Sequence, residues 1–175
     1  MSTAKLIYED NYLMINNFIY HQKDIYYNTS FDLEIRSGSF SGVAPCEYDI
    51  KEFRKFVEEL LEMYEFKKHI VMFNDICYGS SVKFEADKTG HINVSGEIFG
   101  EAMEHSLKFS FFADQFVLKQ FISELQNMIG IQIVRNSQQE LSESLVLVCF
   151  IRISSCGFEP LSAKPNIISF YVLRK

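Results

Sequence analysis

The residues best able to do chemistry in this chain are four histidines, four cysteines and one Asp-Lys-Thr-Gly run. Asp87-Lys88-Thr89-Gly90 has the sequence of the aspartyl-phosphate loop of ion pumps, in which the carboxylate is a nucleophile. That loop continues with Thr, whereas His91 follows here. The same four residues also satisfy a tight hairpin, with Asp opening a type I turn and Gly where a positive φ is needed. The turn accounts for all four, so the nucleophile is set aside. His21, His69, His91 and His105 include no H-x-x-H or H-x-x-x-H pair. Strand pairing would have to bring His91 or His105 beside Glu97, Glu101 or Glu104 before a metal had ligands. Cys46, Cys77, Cys149 and Cys156 form no C-x-x-C pair, and none stands at zinc spacing to a histidine. Cys77 and Cys149 lie in apolar strand patterns, where a thiol behaves as a small hydrophobe. Four free thiols are expected. No G-x-S-x-G elbow, Walker A sequence or G-x-G-x-x-G turn occurs. Sequence reading therefore names no catalytic residue, no metal ligand and no cofactor, although a triad assembled from distant positions would leave no mark.

Composition bounds the remaining readings. A chain of 175 residues is one domain, or one domain with an appendage. Apolar residues make up 47% and aromatics 15%, enough for a packed core. Seventeen Phe and nine Tyr suit sheets with aromatic cross-strand pairs. The net charge is −6, which argues against a nucleic-acid or anionic-membrane surface, since both require a positive field. A basic protein partner fits that charge. Glu9, Asp10 and Asn11 interrupt the first apolar residues, so no secretory leader is read. The longest apolar run, Leu145 to Ile151, is too short to span a bilayer. The expectation is a soluble, cytoplasmic protein that holds its cysteines reduced.

Residues 69–129 organise the rest. Ser80 to Ala86, His91 to Ile98 and His105 to Phe112 alternate apolar and polar side chains, the mark of strands with one buried face. His69 to Ile76 is read as the strand before them. The segment from Asp114 to Ile129 follows as a helix with a stripe of Val117, Leu118, Phe121, Ile122, Leu125, Met128 and Ile129. Gly130 is placed to end it in the left-handed conformation. Upstream, two apolar bursts flank Glu9-Asp10-Asn11 as a hairpin or two short strands around a polar turn, and Phe31, Leu33 and Ile35 alternate as another strand. Ser37 to Gly42 reads as flexible punctuation before a helix from about Ile50 to Glu65. Asp49 caps that helix, with Glu52 completing a capping box. Its predicted stripe is Ile50, Phe53, Val57, Leu60, Leu61 and Tyr64. No internal sequence repeat is evident. The fold class is α+β: an antiparallel meander sheet of six or more strands with two helices packed on one face. Residues 131–175 read as a C-terminal β-hairpin appendage.

The outer face of the first helix places Lys51, Arg54 and Lys55 early and Glu58, Glu59, Glu62 and Glu65 late. This is opposite to what the helix dipole favours, by a few tenths of a kcal/mol per charge. These four glutamates are the candidate partner-binding residues.

Over residues 31–129 the chain resembles the Wap-type bacterial immunity proteins, antidotes of polymorphic toxins. Phe40-Ser41-Gly42, the capped helix with Phe53 and Leu60, and Gly90-His91-Ile92 carry part of the likeness. The clearest part is Phe111-Phe112-Ala113-Asp114-Gln115-x-x-Leu118. The tail from Ile131 departs from that pattern and would either cover or supply a partner surface. The resemblance implies a non-catalytic domain that binds a toxin. Two alternatives stay open: a small-molecule-binding or hydrolytic domain with its site between helix and sheet, and a structural oligomerisation module. Oligomeric state is not legible.

Overall fold

The structure is a computed structural model, and it describes residues 3–21, 28–100 and 103–130, all within one compact unit, Met1–Ser137. The C-terminal hairpin expected over 131–175 lies outside the described residues. Chain order is β1 (Ala4–Tyr8), β2 (Asn11–Tyr20), β3 (Thr29–Ser37), β4 (Phe40–Tyr48), α1 (Ile50–Tyr64), β5 (Ile70–Asn74), β6 (Ser81–Ala86), β7 (His91–Phe99) and β8 (Ser106–Asp114). Residues 115–130 then form α2.

The class is α+β, as the alternation predicts, but the strands make two sheets rather than one. β1-β2-β3-β4 and β5-β6-β7-β8 are each antiparallel meanders of four. The order four strands, helix, four strands, helix is a repeat of topology that no repeat of sequence announces. The expected flexible stretch at Ser37–Gly42 is instead a two-residue turn, Gly38-Ser39, between paired Ser37 and Phe40. Gly38 has φ +61°, the conformation a type II′ hairpin needs at its first central position. The nine-residue strand β4 follows it.

Alternating residues of both sheets and the apolar faces of both helices share one core. Its rings form a chain: Phe18 beside Phe31 (6.1 Å), Phe31 beside Phe73 (5.7 Å), Phe73 beside Phe56 (5.7 Å), Phe56 beside Phe84 (5.9 Å) and Phe84 beside Phe121 (6.5 Å). This chain links the first sheet, α1, the second sheet and α2. Asp49 caps α1 by accepting the Lys51 N–H at 2.7 Å. The buried face of α1 is Ile50, Phe53, Phe56, Val57, Leu60 and Met63. Phe56 and Met63 replace the expected Leu61 and Tyr64, because α1 meets aromatic rings of both sheets and needs a wider apolar arc. In α2, Leu118, Phe121, Ile122, Leu125, Met128 and Ile129 are buried as predicted, with Val117 partly so. Gly130 remains helical, with no left-handed φ.

Two glycines allow close approaches. Gly96 in β7 has the Ser81 carbonyl oxygen where a Cβ would stand, 2.0 Å away. Gly42 in β4 faces Ile98 and Leu107 at 3.3 Å, where the two sheets meet. Among the described residues, no helix is long and apolar enough to cross a membrane.

Candidate partner-binding surfaces

The residues singled out for chemistry are committed to structure. Asp87 accepts the Thr89 N–H (2.7 Å), the Thr89 hydroxyl (2.7 Å) and the His91 N–H (3.0 Å). The Thr89 hydroxyl first, then these backbone donors, hold its carboxyl below the usual aspartate range. Gly90, at φ +88°, completes the predicted turn. His91 therefore sits beside Asp87 rather than beside Glu97 or Glu104. Among the described residues, no three His, Cys, Asp or Glu side chains converge as metal ligands. A buried carboxylate that sequence reading passed over, Asp75, accepts the Glu47 N–H (2.7 Å) and the Tyr78 N–H (2.5 Å), tying β4 to the β5–β6 loop. Both its oxygens are occupied by this brace.

Cys46 and Cys77 are free thiols; Cys149 and Cys156 lie outside the described residues. Cys46 is buried, and desolvation first, with Asp75 and Asp32 adding repulsion, pushes its pKa far up. Cys77 is exposed and donates to Glu47 Oε2 at 3.0 Å. Partial desolvation, that hydrogen bond and the Glu47 and Asp75 charges raise its pKa to about 11. Only the thiolate reacts, so alkylation at pH 8 should be slow despite exposure. The rate should climb about tenfold per pH unit up to that pKa, and Glu47→Gln should speed it at pH 8. Peptide-resolved mass spectrometry after timed alkylation measures this. A Cys77 that reacts at pH 8 as fast as a free thiol would contradict the geometry.

The candidate glutamates do not act as four equivalent charges. Glu59 is half-buried and paired with Lys68 at 2.9 Å, and Glu65 is paired with Lys67 at 2.5 Å. Glu58 and Glu62 are exposed. The chain turns back after α1 through Phe66 N–H to Met63 O (3.0 Å) and Lys67 N–H to Glu62 O (2.9 Å). Phe66 holds the left-handed position of this cap at φ +59°, where glycine is usual, and its ring is half exposed. Gln115, opening α2, donates its side-chain N–H to the Tyr64 carbonyl (2.5 Å) and its backbone N–H to the Gly90 carbonyl (3.1 Å). It thereby joins the end of α1 to the β6–β7 turn.

Beyond that turn lies an open groove of about 690 Å³, between the β1–β2 turn, the β3–β4 turn and the ends of β7 and β8. Glu9, Phe40, His91 and Phe112 line it. Phe40 is 70% and Phe112 65% exposed. A smaller, polar cleft of about 210 Å³ lies between α1 and β5, lined by Glu52, Lys55, Glu59, Met72 and Asn74, and the interior of the core is different again. The gap bounded by Phe31, Phe56, Phe84 and Phe121 is about 10 Å³ and entirely apolar, with no room for a substrate.

The profile of the WapI-like immunity protein family matches residues 11–131, well over half the chain. The chain belongs to the WapI-like immunity protein family. A search of curated proteins gives no match. Among solved structures, the WapI-like chain is similar to the crystal structures of Trypanosoma bruciei MRP1/MRP2, at 9% identity and a TM-score of 0.42. The likeness covers 70% of this chain and 76% of that one. Several motif residues of the WapI-like chain have visible structural work. Gly42 admits the sheet contact, Gly90 closes the turn, and Gln115 fastens α1. Phe40 and Phe112 have none in the core and face the groove.

Proposed function

We propose that this WapI-like chain is the antidote of a protein toxin and neutralises it by binding, with no catalysis of its own, in the cytoplasm. The family match over residues 11–131 carries the reading. Three features support it: the charge of −6, polar groups committed to turns and caps, and accessible aromatic and acidic surface. A toxin that cleaves nucleic acid must be basic to hold phosphates, and an acidic antidote is attracted to that same face.

Glu58 and Glu62, with Glu59 and Glu65 behind their lysine partners, are the steering group of this reading. Charges at the rim of an interface act chiefly on the association rate and are screened by salt. Changing all four to Gln should slow association several-fold at low ionic strength, and much less in 0.5 M salt, with the dissociation rate and the fold unchanged. Stopped-flow mixing with the product of the neighbouring gene measures it. Absence of binding to that product, or turnover of a small substrate that a single His or Asp change abolishes, would reject the antidote.

A further inference from the structure

We propose that the groove between the hairpin turns anchors a cationic side chain, arginine or lysine, on a segment of a basic protein partner. The partner's identity as a toxin rests on the antidote reading; the chemistry of the groove does not.

The argument starts from the two rings. Phe40 and Phe112 stand mostly in water on a concave surface, though each has a strand position from which a polar side chain would be free to solvate. A phenyl face carries negative quadrupole density and attracts a cation, most of all a planar guanidinium that can stack on it. The carboxylate of Glu9 lines the same groove, with Asp10 next to it in the β1–β2 turn. Aromatic faces with a carboxylate receive a cation's charge and its apolar stem together. An anion would meet the repulsive Glu9 carboxylate and the ring faces. A purely apolar ligand would strip water from Glu9 without compensation.

The walls are held in place before any partner arrives. The Gly38 N–H donates to Asn11 Oδ1 at 2.8 Å, bracing one turn against the other. The Ser37 hydroxyl donates to the Ser110 carbonyl at 3.1 Å, fastening the first sheet's rim to β8. Of the basic groups here, His91 lines the groove with its ring nitrogen 3.3 Å from the Thr89 hydroxyl, and Arg36 is engaged with the Gly38 carbonyl (3.5 Å). Binding into preformed walls loses little conformational freedom. At about 690 Å³ the groove also has room for more than one side chain, so a stretch of partner backbone accompanies the anchor.

The test uses the full-length chain and a defined probe, the peptide acetyl-Gly-Arg-Gly-Arg-Gly-amide, with its Glu-substituted twin as control. The arginine peptide should shift amide resonances of residues 9–11, 37–40 and 110–112 saturably in two-dimensional NMR, and the glutamate peptide should not. Phe40→Ala with Phe112→Ala, and separately Glu9→Gln, should each weaken binding at least about tenfold. These side chains are exposed, so the variants should fold; an unchanged thermal midpoint verifies it, and Glu9→Gln serves if the double variant melts early. No shifts, shifts confined to other residues, equal shifts from the glutamate twin, or variants that bind the arginine peptide undiminished would overturn the proposal. Toxin binding distinguishes the two readings. A toxin bound equally by wild type and groove variants overturns the groove and leaves the antidote standing. An arginine peptide bound where no toxin binds does the reverse.

Discussion

Gly96→Ala should cost more than about 4 kcal/mol, a large share of the about 5–15 kcal/mol that holds a typical domain folded. The new methyl carbon would stand 2.0 Å from the Ser81 carbonyl oxygen and 3.1 Å from the Phe109 ring. Gly96 is paired on both sides, with Val82 in β6 and Phe109 in β7's other neighbour, β8. The oxygen belongs to backbone and cannot swing away as a side-chain tip would. Relief requires the ladder between β6 and β7 to part in the middle of its sheet. Two other glycines calibrate the effect. At Gly42 a methyl would meet side-chain ends at 3.3 Å, which can yield, so Gly42→Ala should cost about 1–3 kcal/mol. At Gly130 nothing among the described residues lies within 4 Å and the backbone is helical, so Gly130→Ala should stabilise by up to about 1 kcal/mol. Urea midpoints of the three variants give the order. A Gly96→Ala protein as stable as Gly42→Ala would mean β6 and β7 are not registered as described.

This series also marks what was legible in the sequence. Strands β5 to β8 follow period-two alternation, and their buried faces carry large apolar residues such as Val82, Phe84, Ile92 and Val94. Strand β4 hides because its buried residues are Ala44, Cys46 and Tyr48, while Gly42 reads as the end of the punctuation and Pro45 disfavours a strand. Pro45 is tolerated because β4 pairs only with β3 among the described residues, so its missing N–H breaks no ladder on the far side. Two sheets instead of one is a long-range fact. Alternation tells which face a strand buries, not which strands stop pairing when α1 intervenes. The stripe of α1 misleads for a related reason. A helix packed on one sheet needs a narrow face, whereas α1 touches Phe31 of one sheet and Phe73 and Phe84 of the other through Phe53 and Phe56.

The candidate surfaces divide similarly. That the late glutamates of α1 avoid the core follows from their helical spacing. That Lys68 reaches Glu59 does not, because it depends on the backward turn at Phe66. The groove joins the β3–β4 turn to strand β8, more than seventy residues later, through a Ser37–Ser110 hydrogen bond that no local pattern encodes. Its signal in the sequence was Phe112, which is out of phase with buried Phe109 and Phe111 and therefore must face outward.

Phe121→Ala should cost about 3–5 kcal/mol. Phe121 is fully buried and stacks on Phe84 at 6.5 Å, at the end of the aromatic chain that joins both helices to both sheets. It also borders the 10 Å³ gap, so truncation would enlarge an existing void rather than open a separate one. Four of its walls, Phe31, Phe56, Phe73 and Phe84, are rings with few alternative rotamers, which limits how far these and the aliphatic Leu13, Ile15, Leu33 and Val82 can close on it. Little of the loss is then recovered by collapse, which places the cost toward the upper part of that range. Lys119→Ala, two residues earlier on the same helix, is the control. Lys119 is exposed, with its ammonium 5.7 Å from the Tyr64 ring centroid, an interaction worth about 0.5–1 kcal/mol at such a site. The urea midpoint should fall steeply for Phe121→Ala and barely for Lys119→Ala, with similar denaturant slopes. Equal midpoints would mean α2 presents a different face to the sheets, and the continuity of the core from Phe18 to Phe121 would fall with it.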